Sequence, residues 1–161
     1  MGRVEVRYCS RTKAGNTRRI AEAIAEGAAT IEVSIDNESK LTEKADILFL
    51  GGAPYANIMA PELRQYANEL DPGMVGKIVL FTTSNWSRRT VLALKKIFKG
   101  KGIEVAQEYF YAHMLNIDGK IEAARQFAKF LIDKEGNVAE RFAPSAKPET
   151  LVSSIESQLG R

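Results

Sequence analysis

The sequence predicts an α/β fold in which helices cover both faces of a five-stranded parallel sheet. Five apolar runs of strand length, rich in β-branched and aromatic residues, alternate with segments of helical spacing. Two of these runs, ILFL and IVLF, are apolar at consecutive positions, which is typical of strands buried on both faces. This alternation favours right-handed crossovers, and therefore a three-layer, doubly wound sheet.

The predicted strands and helices follow one another along most of the chain. The strands are the runs 4–8, 31–35, 46–51, 77–83 and 103–111. A helix is predicted after the first, third, fourth and fifth strands, because apolar residues there recur every three or four positions. These positions are Ile20, Ile24 and Ala28; Leu63, Tyr66 and Leu70; Val91, Leu94 and Phe98; and Ile121, Ala124, Phe127, Ala128 and Leu131. The link between the second and third strands is too short for a full helix.

The length of 161 residues suits one domain with a short appendage. We expect the domain to span residues 1–136. Residues 137–161 are predicted to form a linker and a helical extension, since Leu151, Val152, Ile155 and Leu159 share one helical face. A final helix packed back on the domain and a docking helix are both compatible with this stripe.

The composition excludes several kinds of protein. Cys9 is the single cysteine, which excludes an internal disulfide and a cysteine-based zinc site, and it agrees with a reducing cytoplasm. No apolar run has membrane-spanning length, and the first residues lack the apolar core of a signal peptide. A net charge of +3 does not imply nucleic acid as a partner. We assign no metal site and no catalytic residue, neither Cys9 nor the lone histidine, His113.

The loop after the first strand has the composition of an anion site. Ligands of open parallel sheets bind beyond the carboxyl ends of the strands, so loops 10–17, 52–60 and 83–89 are the candidates. The first of them holds Ser10, Thr12, Gly15, Asn16 and Thr17 immediately before a helix, whose unpaired amides favour an oxyanion. The alternative is that Asn16 or Thr17 simply caps this helix. Neither a nucleotide P-loop nor a G-x-G-x-x-G turn is present.

The loop SRTKAGNTRRIA resembles the phosphate loop of flavodoxins and the wider flavodoxin-like family, with Lys13 and Ala14 as two extra residues. DILFLGGAPYANIMAPELRQYANEL resembles the family's third strand, first flavin loop and following helix. KIVLFTTSNW resembles its fourth strand and second flavin loop. The resemblance implies strand order 2-1-3-4-5 and noncovalent binding of flavin mononucleotide (FMN). It also implies electron transfer, by a carrier or by a small FMN-dependent reductase, of quinones for example.

The resemblance also implies which residues hold the cofactor. Around the phosphate these are Ser10, Arg11, Thr12, Gly15, Asn16 and Thr17. Around the flavin ring they are Pro54, Tyr55, Ala56 and Asn57 from one loop, and Thr83, Ser84, Asn85 and Trp86 from the other. Tyr55 and Trp86 are the expected aromatic neighbours of the ring.

Two further expectations concern partners. Arg11, Lys13, Arg88 and Arg89 would give the site a basic rim, which favours redox partner proteins of acidic character, with the chain a monomer or a homodimer. The alternative function is a flavodoxin-fold interaction module that has lost FMN because of the two inserted residues.

Overall fold

A computed structural model of the protein describes residues 3–10, 15–35, 40–55, 58–84 and 87–141; the side chains of Tyr55 and of residues 135–141 lie outside the description. The elements are β1 (Val4–Cys9), α1 (Asn16–Gly27), β2 (Glu32–Ser34), β3 (Ala45–Gly52), β4 (Pro54–Tyr55), β5 (Ile58–Met59), α2 (Pro61–Glu69), β6 (Val75–Ser84), α3 (Arg89–Gly100), β7 (Val105–His113) and α4 (Ile121–Arg141). Pro61 occupies the first turn of α2, where its missing N–H costs no hydrogen bond.

The central sheet has five parallel strands in the order β2-β1-β3-β6-β7. Because β4 and β5 form a separate antiparallel hairpin, this is the predicted 2-1-3-4-5 order, which is confirmed. The order reverses between β1 and β3, so the topological switch point lies at their carboxyl ends.

Two apolar layers cover the two faces of the sheet. On one face α1 and α4 pack against residues such as Val6, Phe49 and Phe81. On the other face α2 and α3 pack against residues such as Leu48 and Leu80. The predicted helix positions are confirmed as inward-facing. Ile20, Ile24, Leu63, Tyr66, Leu70, Val91, Leu94, Phe98, Ala124, Ala128 and Leu131 are buried, and Ala28, Ile121 and Phe127 are partly buried.

Two features differ from the sequence-based expectation. The second candidate loop contains the β4–β5 hairpin, whose two-residue strands are too short to show a periodic pattern. Helix α4 continues past the expected boundary at residue 136 to Arg141, so the first five residues of the expected linker are helical. The apolar stripe at residues 151–159 lies outside the described residues. Within the described ranges, none of the helices combines the length and apolar character needed to cross a membrane.

Helix α1 ends in a Schellman turn with an alanine at its left-handed position. The Thr30 amide donates to the Ala25 carbonyl (2.9 Å) and the Ala29 amide to the Glu26 carbonyl (3.2 Å). Ala29 has φ of 56°, a conformation that costs an L-residue with a Cβ about 1 kcal/mol. Helix α3 ends in the same hydrogen-bonded turn, with Gly102 (φ 74°) at that position.

We therefore expect Ala29→Gly to raise the free energy of unfolding by about 1 kcal/mol, because glycine adopts this conformation without strain. The matched variant Gly102→Ala introduces the same strain into α3 and should lower it by about 1 kcal/mol. Urea denaturation followed by circular dichroism measures both changes. A loss of stability in Ala29→Gly would mean that the entropy of the unfolded chain outweighs the relief of strain.

Candidate functional site

The carboxyl ends of β1, β3 and β6 lie side by side at the switch point. Cys9 of β1 is paired with Gly52 of β3, and Gly52 is paired with Thr82 of β6. The Thr82 hydroxyl donates to the Gly52 carbonyl at 2.8 Å, which ties the two strand ends together. The three predicted loops therefore start from one rigid edge, as an open parallel sheet requires of a ligand site.

The N-terminus of α1 points into this edge, and its N-cap residue supplies no capping side chain. Gly15 is the N-cap residue, in extended conformation, and the first turn contains no acidic side chain. Asn16 donates its side-chain amide to the Met114 carbonyl (3.3 Å) instead of capping the helix. The capping alternative for Asn16 and Thr17 is therefore wrong, and the arrangement is that of a helix N-terminus able to hold an anion.

Thr17 and Thr83 join the first loop to the end of β6. Their hydroxyl oxygens lie 2.8 Å apart and both side chains are buried. Both threonines are predicted cofactor residues, and the structure brings them together even though 66 positions separate them in the chain. The bond fixes the start of α1 against the central sheet, so the helix N-terminus is held in place before any ligand binds.

The end of β6 at Ser84 is fixed by β7 and the turn that follows β7. The Ser84 hydroxyl donates to the Ser87 carbonyl (2.7 Å). The Ser84 carbonyl accepts hydrogen bonds from the Tyr111 hydroxyl and the Met114 amide, both at 3.0 Å. Because the Ser84 carbonyl already accepts two hydrogen bonds, we do not expect it to bind a ligand. Other groups of the predicted ring-binding loop would have to do so.

The turn after β7 is a part of the edge that the sequence interpretation missed. Its Met114 contacts both Asn16 and Ser84, and the Leu115 amide donates to Nδ1 of His113 (3.1 Å). The signal that could have found it is the position of HMLNIDG directly after the fifth predicted strand. His113 therefore accepts a hydrogen bond that orders this turn.

The remaining predicted residues divide into two groups. Ser10 and Pro54 follow β1 and β3 at the same edge, and Pro54 is paired with Met59 in the hairpin. The others, Arg11, Thr12, Ala56, Asn57, Asn85 and Trp86, lie outside the described residues, as do Lys13 and Ala14 of the insertion and the side chain of Tyr55. Their contacts with a cofactor stay predictions.

The groups described at this edge suit a phosphorylated ligand. The N-terminus of α1 supplies amides, and the buried Thr90 hydroxyl in the first turn of α3 has no hydrogen-bond partner in the described part of the chain. Such an orphaned hydroxyl is the kind of group that a ligand or water satisfies. No cluster of three potential metal ligands occurs among the residues described.

Comparison with solved structures identifies the architecture. A flavodoxin from the domain Archaea superposes with a TM-score of 0.67 at 16% identity, covering 81% of this chain and 97% of that chain. The chain has the flavodoxin fold. A Fusobacterium nucleatum flavodoxin bound to flavin mononucleotide gives a TM-score of 0.64 at 17% identity, covering 84% of this chain and 99% of that chain. The NADH:FMN oxidoreductase EMOB shares the flavodoxin fold more distantly, with a TM-score of 0.52 at 16% identity, over 80% of this chain and 89% of that one.

Comparison with curated proteins gives a different and shorter similarity. The glutathione peroxidase homolog BsaA of Staphylococcus epidermidis is 58% identical over 33 residues, 20% of this chain and 21% of that protein. A probable mitochondrial phospholipid hydroperoxide glutathione peroxidase of Arabidopsis thaliana is 28% identical over 103 residues, 64% of this chain and 44% of that protein. The chain thus spans less than half the length of these relatives. No family model matches the chain.

Proposed function

We propose that this protein binds FMN noncovalently at the carboxyl edge of the sheet and transfers electrons. The observation that carries the proposal is the N-terminus of α1, which begins at a glycine N-cap and is locked to β6 by the Thr17–Thr83 hydrogen bond at the switch point. The flavodoxin fold, shared with a protein whose structure contains FMN, supports it. FMN supplies the redox chemistry when bound, and the protein supplies position and electrostatics.

Each described group has a part in this proposal. The amides of the first turn of α1 hold the phosphate, and Gly15 lets the chain approach it closely. Asn16 holds the turn at Met114 beside the phosphate site. The Ser84 segment, fixed by Tyr111, provides a rigid wall for the flavin ring. A rigid wall reduces the ordering cost of binding.

We favour an electron carrier that a separate protein reduces, because the sequence contains no dinucleotide-binding turn. The fold shared with an NADH:FMN oxidoreductase keeps a small reductase as the second candidate. We place the protein in the cytoplasm, where reducing conditions suit a lone cysteine.

A thiol peroxidase, which the names of the curated relatives suggest, receives less support. A catalytic thiolate must be accessible and is usually activated by neighbouring positive charge. Cys9 is the only cysteine in the sequence and is 2% exposed at the end of β1. Cys9 belongs to a buried apolar cluster that also includes Leu50 and Leu63. A buried thiol of this kind is poorly placed to attack a hydroperoxide.

Titration of FMN into the apoprotein tests the proposal. We expect one-to-one saturation with quenching of both flavin and Trp86 fluorescence, since Trp86 follows the β6 segment and is the single tryptophan. Riboflavin, which lacks the phosphate, should bind more weakly. If neither fluorescence signal changes at about 50 μM FMN, the binding free energy is smaller in magnitude than about 6 kcal/mol. In that case the interaction-module alternative would replace the flavoprotein.

A further inference from the structure

The segment that forms α3 and its two ends carries an unusual concentration of charge. Residues 88–101 contain six basic residues and no acidic one: Arg88, Arg89, Lys95, Lys96, Lys99 and Lys101. Since the whole chain has a net charge of +3, the remaining residues together have a net charge of −3. The excess of basic over acidic residues in this protein therefore comes from this one segment.

Five of these cations lie on one face of α3. At about 100° per residue, Arg88, Arg89, Lys95, Lys96 and Lys99 fall within an arc of about 120°, with Leu92 near its centre. We call these six residues the basic stripe. The opposite face, with Val91, Leu94 and Phe98, is buried against the sheet. Leu92 is 61% exposed in the middle of the cations.

The charges of the basic stripe are not neutralised within the described part of the chain. Its five cations form no ion pair there; Lys95 instead lies over the ring of Tyr109, 5.3 Å from its centroid. Some cations elsewhere do form ion pairs, such as Lys77 with Glu104 at 3.0 Å. Glu108 on the neighbouring strand β7 is also engaged, because Lys134 donates a hydrogen bond to it and lowers its pKa.

The basic stripe begins at the candidate flavin site. Arg88 and Arg89 follow the Ser84–Ser87 segment at the carboxyl edge, and the stripe then runs about 16 Å along α3. Strand β5 packs against α3, and its Ile58 is 55% exposed. Leu92 lies one helical turn after Arg88, and Ile58 adds a second exposed apolar side chain on a strand that packs against α3.

We propose that the basic stripe is the docking surface for an acidic redox protein, which accepts one electron at its oxidised metal centre as the bound flavin gives one up. The electron transfer rests on the proposed function, whereas the docking does not. Unpaired cations attract and steer an acidic partner. The exposed Leu92 and Ile58 provide the apolar centre that a protein interface has and that binding to a polyanion does not need.

The test uses cytochrome b5, an acidic haem protein, as the probe and basic cytochrome c as its counterpart. Isothermal titration with the full chain, at low salt, should show binding of cytochrome b5 and not of cytochrome c. Replacement of both Lys96→Glu and Lys99→Glu should weaken binding by about tenfold or more. The control pair Lys40→Glu and Lys44→Glu changes the net charge equally, outside α3 and in the segment just before β3. It should weaken binding less than about threefold.

Leu92→Asn tests the apolar centre of the proposed interface. The variant should fold because the Leu92 side chain is exposed. Thermal unfolding verifies that each variant folds. We expect weaker binding of cytochrome b5 with an unchanged salt dependence.

Equal losses of affinity in the two charge-reversed pairs would overturn the proposal. Binding of duplex DNA or anionic vesicles but not of cytochrome b5 would also overturn it. Measuring binding with and without FMN separates the two hypotheses. Stripe-dependent docking without flavin binding would contradict only the proposed function, whereas FMN binding without docking would contradict only this inference.

Discussion

Gly27→Ala is expected to lower the free energy of unfolding by about 2 kcal/mol, although alanine is the better helix former. Gly27 is the last residue of α1, and a Cβ there would lie 2.1 Å from the Arg125 carbonyl oxygen and 3.0 Å from the Ala128 Cβ. The closest atom belongs to the backbone of α4, so the clash is relieved only if one helix shifts. The adjacent ion pair of Arg125 with Glu26 (2.8 Å) would be disturbed by the same shift.

Gly100→Ala is the matched control, because Gly100 is the last residue of α3 and a Cβ added there would have nothing within 4 Å. Only the helix propensity changes there, so this variant should gain up to about 1 kcal/mol. Chemical denaturation of both variants gives the comparison. If Gly27→Ala were as stable as Gly100→Ala, the close approach of α1 and α4 at this glycine would not be a constraint on the fold.

The buried helix faces were predictable because they depend on short-range patterns, whereas the strand order was implied by the resemblance to flavodoxins. Leu94 and Phe98 show their burial through spacing alone, and ILFL shows a strand covered on both faces. The hairpin could not be found in this way, because a two-residue strand such as Pro54–Tyr55 has no period. Gly27 likewise gives no signal that α4 lies against it.

The site was predictable in position but not in detail. The polar residues after each strand identified the edge, and the resemblance identified Thr17 and Thr83 as members of the site. That their hydroxyls bond to each other depends on the packing of α1 on β6, which a linear pattern does not contain. The same holds for the contact of Asn16 with Met114, where the nearest sequence interpretation was a helix cap.

Asn16→Asp should weaken FMN binding by about thirtyfold while leaving riboflavin binding nearly unchanged. The new carboxylate at the first position of α1 would repel the phosphate, at a cost of about 2 kcal/mol for partly exposed charges. Aspartate cannot donate the hydrogen bond to the Met114 carbonyl, but its carboxylate interacts favourably with the helix dipole. Since the two effects oppose each other, the apoprotein should keep most of its stability. Unchanged stability and unchanged riboflavin binding would show that FMN affinity falls through repulsion of the phosphate and not through unfolding of the protein.

The control for this variant is Asn68→Asp, which makes the same chemical change at an exposed position near the end of α2, on the opposite edge of the sheet. Fluorescence titration of both proteins with FMN and with riboflavin gives four dissociation constants. We expect only the dissociation constant of Asn16→Asp for FMN to change substantially, because only in that complex does the new carboxylate lie close to the phosphate. Equal weakening of FMN and riboflavin by Asn16→Asp would show that the variant acts on the flavin ring or on the turn at Met114. The phosphate would then lie elsewhere than at the N-terminus of α1.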